Sequence, residues 1–239
     1  MDLSNKVAVL TGAGGGWGRT GAVAFLQAGA SAVVVERPEV VAERASWKAE
    51  LGTLGERLTL MPGNVFDETS VEGIVRDILA QHGHLDILVN MVGGFAAGQA
   101  VHEMDIDTWE RMLQLNLRST FLCSKYAARP MIAQHWGRII NISSRAGVQP
   151  GPKAAAYAAS KAAVVSLTES QAEELKHEFI TVNTVLPSIV DTPANRQGMP
   201  TADFATWPKG EEIAPVIVFL ASEDAKLING AAIPVYGRA

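Results

Sequence analysis

Short apolar runs alternate along this chain with longer amphipathic or charged stretches, and turns rich in Gly, Pro, Asn or Asp separate most of them. Continuous runs of Val, Ile, Leu and Ala bounded by such turns predict strands buried on both faces. Seven follow in order: KVAVL over Lys6–Leu10, SAVVVE over Ser31–Glu36, LTLMPGN over Leu58–Asn64, HLDILVN over His84–Asn90, GRIINIS over Gly137–Ser143, ITVNTVLP over Ile180–Pro187, and AAIPV from Ala231. Between them lie helical patterns: the segment after the first glycine-rich turn, a charged stretch from about Glu39 to Leu54, DETSVEGIVRDILAQHG, the long pattern Asp107–His135, the Ala-rich run from Ala154, and Glu211–Leu220. Pro130 is expected to kink or shorten the far end of the longest of these. Strands alternating with helices predict an α/β fold, a doubly wound seven-stranded parallel sheet with helices on both faces, forming one domain over residues 1–239. The segment 188–209 is polar, contains Pro and is too long for a simple turn, so it is expected to act as a lid or substrate loop.

Composition narrows the classes. The 48% hydrophobic and 19% charged content excludes a disordered chain. A net charge of -5 argues against a nucleic-acid partner, because phosphate binding needs a basic surface. With Cys123 as the one cysteine, no intrachain disulfide can form, which fits a reducing compartment; the residue itself reads as a small apolar side chain on a helix. The N-terminus carries Asp2 and enters a strand at once, unlike a signal peptide. No apolar run reaches the ~20 residues of a membrane helix. A soluble, cytoplasmic protein is therefore expected. His82 and His84 flank Gly83 with Asp86 nearby, but at a polar turn without further ligands they read as solvent-exposed histidines, and no metal is expected.

The candidate chemistry starts at the first turn. TGAGGGWG follows a strand and opens a helix: Gly12 permits the tight turn, Gly16 lets backbone approach a pyrophosphate, and Gly18 allows close helix–strand contact, with Trp17 between them. The free N–H groups of a helix N-terminus favour phosphate there. Glu36 ends the second strand, where a carboxylate accepts hydrogen bonds from ribose hydroxyls and repels a 2′-phosphate; this favours NAD(H). Arg37 beside it keeps NADP(H) open, since a guanidinium holds such a phosphate well. Asn64 and Val65 are placed either to border an adenine ring or merely to close a βα turn. Asn90 ends the fourth strand, and the glycine-rich loop after it, including Gly93, lies where doubly wound sheets bind ligands.

Tyr157 and Lys161 are four apart on the Ala-rich helix and share a face. A free phenol titrates near ~10, and an adjacent ammonium is expected to lower that value and make Tyr157 a proton donor and acceptor near neutral pH. Ser144, on the loop before the helix, would hold a substrate oxygen against Tyr157. Asn116 stands amid apolar neighbours, either satisfied by backbone or holding a water.

With these residues placed, the chain resembles the short-chain dehydrogenase/reductase family along nearly its whole length: TGAGGGWG, LVN, the Asn of LQLNL, NISS, YAASK and VNTVLP stand in that family's order and spacing. The resemblance implies a Rossmann fold and a nicotinamide cofactor. It makes Tyr157 the general acid/base, Lys161 the residue that lowers its pKa and binds the nicotinamide ribose, Ser144 the substrate-orienting group, and Asn116 the holder of a relay water. It also puts Pro187, Thr192 and the backbone near Ile189 and Val190 beside the carboxamide. It implies a small-molecule substrate and a homo-oligomer, a dimer or tetramer through the helix carrying Ala155, Ala159 and Ala163. Three departures stand out: Met91 and Val92 follow Asn90 where a second Asn and an Ala are usual, Asn64 replaces the usual Asp, and Ser188 replaces a Gly. The loops GGFAAGQA and DTPANRQGMPTADFATW are similar to those of dihydropteridine reductases, so a pterin reductase is one alternative. A non-catalytic NAD-binding sensor or scaffold is the other.

Overall fold

A computed structural model describes residues 1–238. All seven expected strands are present and pair in parallel in the order β3-β2-β1-β4-β5-β6-β7, with β1 at Val7–Thr11, β2 at Ser31–Glu36, β3 at Leu58–Pro62, β4 at Ile87–Asn90, β5 at Gly137–Ile142, β6 at Ile180–Pro187 and β7 at Ala232–Val235. The order reverses at β1, which pairs with both β2 and β4, and a crevice opens there above the strands' C-terminal ends.

Alternation along each strand sorts the core into two layers. Ala8 and Leu10 face Phe25 and Leu26 of α1 (Gly18–Gln27) and Ile213 and Ile217 of α9 (Gly210–Ala221). Val7 and Val9 face the other way, toward Ile74 and Ile78 of α4 (Glu68–His82) and Leu122 and Met131 of α6 (Ser119–Gln134). The ends of α4 follow local rules: Asp67 accepts the Ser70 N–H as N-cap, and Gly83 takes φ 81° to stop the helix.

Three expectations need correction. The charged stretch after β2 is not one helix but α2 (Pro38–Glu43), α3 (Trp47–Glu50) and a 3-10 segment over Gly52–Arg57. The break is tertiary in origin: Trp47 is fully buried, and Gly55 packs so tightly on the Lys48 carbonyl that no Cβ would fit. The long helix does form, as α5 (Ile106–Leu113), a π turn over Gln114–Arg118 and then α6, but it runs past Pro130 to Gln134. His82 and His84 are only partly exposed; His84 Nδ1 lies 2.5 Å from Asp86, whose carboxylate also accepts the Val7 N–H.

A buried polar row crosses the sheet just below the crevice. Thr11, Asn90, Asn141 and Thr184 are in register on neighbouring strands. Asn90 Nδ2 donates to Asn141 Oδ1 (2.8 Å) and Ser124 Oγ (3.0 Å), Asn141 donates to Thr168 on α7 (Ala155–Leu175), and Thr184 donates to the Asn141 carbonyl. Each pairing forms in one register only, which fixes how the strands align. Ala155, Ala159 and Ala163 are half-buried on α7, which packs along α5. Among the described residues, no helix is long and apolar enough to cross a membrane and no group of His, Cys, Asp and Glu is arranged to hold a metal ion. Cys123 is buried on α6, and burial pushes its thiol up to about 12.

Candidate active site

The turn after β1 is shaped as the glycine spacing requires. Gly12 has φ 70° and lies against Val92, where a Cβ would come within 2.8 Å; Gly18 packs on the Ala13 backbone with 2.6 Å for the same atom. Gly16 has φ 53° and nothing within 4 Å of a Cβ position, so the turn leaves open space there. Trp17 precedes α1, whose first turn carries no acidic residue. This turn forms one end of a groove of about 790 Å³ that continues past Gly93, Ser144, Tyr157 and Lys161 to Pro187, Val190 and Thr192. A second chamber of about 370 Å³, lined by Gly12, Glu36, Arg37, Asn64, Val65 and Gly93, extends it over the ends of β2 and β3. Glu36 is oriented there by the Gly14 N–H, which donates to its Oε1 at 2.8 Å. Arg37 pairs with Glu39 at 3.0 Å.

At the other end, Ser144 and Tyr157 are shared with a third chamber of about 590 Å³, lined also by Phe95, Arg145, Ile189, Asn195 and Met199. Ile189 thus faces this chamber rather than the long groove. Ser144 is buried and accepts the Ala146 N–H at 3.2 Å, which caps a 3-10 turn and fixes its hydroxyl. The Phe95 ring meets the Tyr157 ring edge-on, with centroids 4.9 Å apart. Thr192 caps α8 (Pro193–Gly198) by accepting the Asn195 N–H, and Asn195 Nδ2 donates to the Val190 carbonyl at 2.7 Å.

Lys161 is almost wholly buried, and its Nζ donates to the Ile142 carbonyl at 2.8 Å. Burial pushes the ammonium down to about 8. The Tyr157 phenol is raised above its ordinary value by burial, with Ser144 pulling the other way. The net direction is upward, against the lowering expected from Lys161, because burial disfavours the charged phenolate.

Asn116 lies in the π turn, where the extra backbone residue turns its side chain onto Gly94. Its Oδ1 accepts the Gly94 N–H (2.9 Å), and its Nδ2 donates to the Gly94 carbonyl (3.1 Å) and to Ser160 Oγ (2.9 Å). The side chain is satisfied by protein and serves to hold the glycine loop. Asn90 likewise points into the polar row below the site rather than into the groove. Sequence reasoning marked the loops that carry Phe95, Asn195 and Met199 as substrate-side segments without singling out these residues, and it missed Arg145, Gln149 and Arg44, whose Nε donates to the Gly14 carbonyl at 2.9 Å.

The fold and groove fit a dinucleotide: a turn with open space at the positive-φ Gly16, a helix N-terminus free of acid, and a carboxylate at the end of β2. These features define a dinucleotide-binding class of fold. The family model for short chain dehydrogenase matches residues 6–202. Curated relatives include the 3-oxoacyl-[acyl-carrier-protein] reductase FabG of Thermotoga maritima, 31% identical with 99% of this chain and 98% of the relative covered. Another is the cis-4-hydroxycyclohexanecarboxylate dehydrogenase of Sinomonas cyclohexanicum, 36% identical with 98% and 96% covered. Among solved structures, a short-chain type dehydrogenase/reductase from Mycobacterium ulcerans superposes with a TM-score of 0.93 at 27% identity, covering 99% of this chain and 90% of that one. ElxO with NADP bound superposes with 0.90 at 27% identity, covering 97% of each. The chain belongs to the short-chain dehydrogenase family, whose members are nicotinamide-dependent oxidoreductases.

Proposed function

We propose that this protein is an NAD-dependent oxidoreductase that interconverts a carbonyl compound and its alcohol, with Tyr157 giving or taking the proton. The observation that carries this reading is that Ser144 and Tyr157 border both the long groove and the third chamber, with Lys161 beneath them in the groove. A carbonyl entering from the third chamber meets a hydroxyl pair there. Ser144 orients the substrate oxygen and Tyr157 delivers its proton to it; in the reverse direction Tyr157 removes that proton. Gly12, Gly16, Trp17 and Gly18 would hold the pyrophosphate, Glu36 the adenosine ribose, Asn64 and Val65 the adenine, Lys161 the nicotinamide ribose, and Val190 and Thr192 the carboxamide. When bound, the nicotinamide supplies or accepts the hydride.

The preference for NAD rests on Glu36, which the Gly14 N–H holds at the groove, while Arg37 is engaged by Glu39. A fluorescence titration with NADH and NADPH tests it. The proton-transfer reading is tested with Tyr157→Phe: turnover is expected to fall by roughly a hundredfold or more while NADH still binds. Unchanged turnover on a substrate of the parent enzyme overturns it. Phe95, Asn195 and Met199 belong to the loops that are similar to those of pterin reductases, so quinonoid dihydropterin belongs in the substrate panel beside carbonyl compounds.

The same reading includes a homo-oligomer in a reducing cytoplasmic compartment. A surface groove of about 670 Å³ between the α5–α6 helix and α7 is lined by Leu113, Leu117, Phe121 and Leu167, and Phe121 is 45% exposed. Covering it with a second copy would bury these side chains. Light scattering reads the resulting mass directly, and a monomer at micromolar concentration removes the proposal.

A further inference from the structure

The turn after β1 is held from both sides of one residue. The Gly14 N–H donates to Glu36 Oε1 at 2.8 Å, and the Gly14 carbonyl accepts Arg44 Nε at 2.9 Å. Arg44 is the C-cap residue of α2, so it reaches the turn from outside the glycine motif. The two side chains serve different spaces: Glu36 lines the second chamber, whereas Arg44 lines the long groove beside Gly15, Gly16 and Trp17. Among the described residues that line this groove, the charged ones are Arg19, Arg44 and Lys161, with no carboxylate. Lys161 is bound further along the groove to the Ile142 carbonyl, and Arg19 is stacked over Trp47 and paired with Glu50 at 3.0 Å. Arg44 is half-buried and, among the described residues, uses only its Nε in hydrogen bonding. Glu50, which it feels at longer range, is already held by Ser46 and Arg19. The Nη groups of Arg44 therefore remain available to a ligand in the groove.

We infer that Arg44 is a coenzyme-binding residue that pairs with the pyrophosphate through its Nη donors while its Nε holds the turn beneath. The inference rests on the reading of the groove as a dinucleotide site. Glycine N–H groups and the first turn of α1 offer donors and a partial positive charge, whereas each phosphate of a dinucleotide carries a full negative one. A guanidinium supplies a full positive charge and a planar set of donors matched to phosphate oxygens. Because Nε is fixed on Gly14, the fork is oriented before the ligand arrives, and less side-chain freedom is lost on binding.

The test measures NADH and NADPH by fluorescence titration, and ADP-ribose by calorimetry, against the parent protein, Arg44→Gln and Arg44→Met. Glutamine sets an amide donor where Nε stands and so keeps a partner for the Gly14 carbonyl, but it lacks the charge and the Nη groups; methionine lacks all of these. Both variants are expected to raise the Kd for NADH, NADPH and ADP-ribose by about tenfold, with the melting temperature of Arg44→Gln unchanged. Added salt should weaken NADH binding more steeply in the parent than in either variant. NADH affinity retained in Arg44→Gln but lost in Arg44→Met overturns the inference, since the arginine then serves the turn alone. A loss confined to NADPH overturns it as well, since the 2′-phosphate is then the partner. Arg44-dependent binding of NADH and ADP-ribose, with no turnover of any carbonyl compound, would leave this inference standing and sink the oxidoreductase reading; turnover with undiminished NADH affinity in both variants does the reverse.

Discussion

Gly93 lies directly over Lys161: a Cβ on Gly93 would fall 3.2 Å from Lys161 Nζ and 2.8 Å from Asn116 Oδ1. Neither neighbour can retreat easily, since Nζ is bound to the Ile142 carbonyl and Oδ1 to the Gly94 N–H. Gly93→Ala is therefore expected to cut kcat/KM by roughly ten- to a hundredfold through displacement of the lysine, with the far-ultraviolet circular dichroism retained. Full activity in that variant would show that the loop gives way without cost.

Lys161 is a buried cation with a folded-state value of about 8 against an ordinary 10.5. Between those values the unfolded chain binds more protons, so stability rises with pH across that window and is lowest below it. The displacement corresponds to roughly 3 kcal/mol. Lys161→Met is expected to abolish turnover yet raise the melting temperature at pH 7 by several degrees, and that gain should vanish near pH 11. A lower melting temperature at pH 7 would show that the ammonium is well solvated in the fold.

Because burial holds the Tyr157 phenol above its ordinary range, carbonyl reduction is expected to stay level through neutral pH and fall on the alkaline side as the donor ionises. Alcohol oxidation should rise over the same alkaline range. Ser144 pulls the phenol down, so Ser144→Ala is expected to move both limbs to higher pH as well as slowing the reaction. Initial rates against pH for the parent and this variant decide the matter, and a shift to lower pH contradicts the assignment.

Glu36 is the one acidic group among the described residues that line the second chamber, where the proposed reading puts the adenosine. Glu36→Gln is expected to weaken NADH binding and narrow the NADH to NADPH affinity ratio by about tenfold, as read by fluorescence titration. An unchanged ratio would place cofactor choice elsewhere.

Asn90 was expected among the groove residues, yet its amide serves the polar row beneath. Asn90→Ala leaves Asn141 Oδ1 without its donor and is expected to destabilise the fold by about 1–3 kcal/mol, with the KM for the cofactor little changed. A large KM effect without loss of stability would restore the earlier expectation.

The strands and the glycine turn were legible because their causes are local. Buried parallel strands leave unbroken apolar runs, and the positions of Gly12 and Gly16 need backbone conformations that few other residues adopt. The helix α4 announced itself through Asp67 and Gly83. The break between α2 and α3 was not legible, because it follows from Trp47 entering the core, which the charge pattern around it conceals. Within the site, the types and order of Ser144, Tyr157 and Lys161 could be read from spacing, but their electrostatics could not. Whether desolvation or the neighbouring cation governs Tyr157 depends on how deeply α7 sits against β5 and β6. The chamber wall was legible in part: the 188–209 segment that carries Asn195 and Met199 was expected to serve the substrate, but that it shares a chamber with Arg145, far away in the chain, depends on the tertiary fold.

Phe95 belongs at once to the long groove, to the third chamber and to the face of Tyr157. It is a party wall between two rooms. Replacing that ring would be felt by both tenants, so any substitution there should disturb coenzyme and substrate affinity together, and a change confined to one of them has its origin elsewhere.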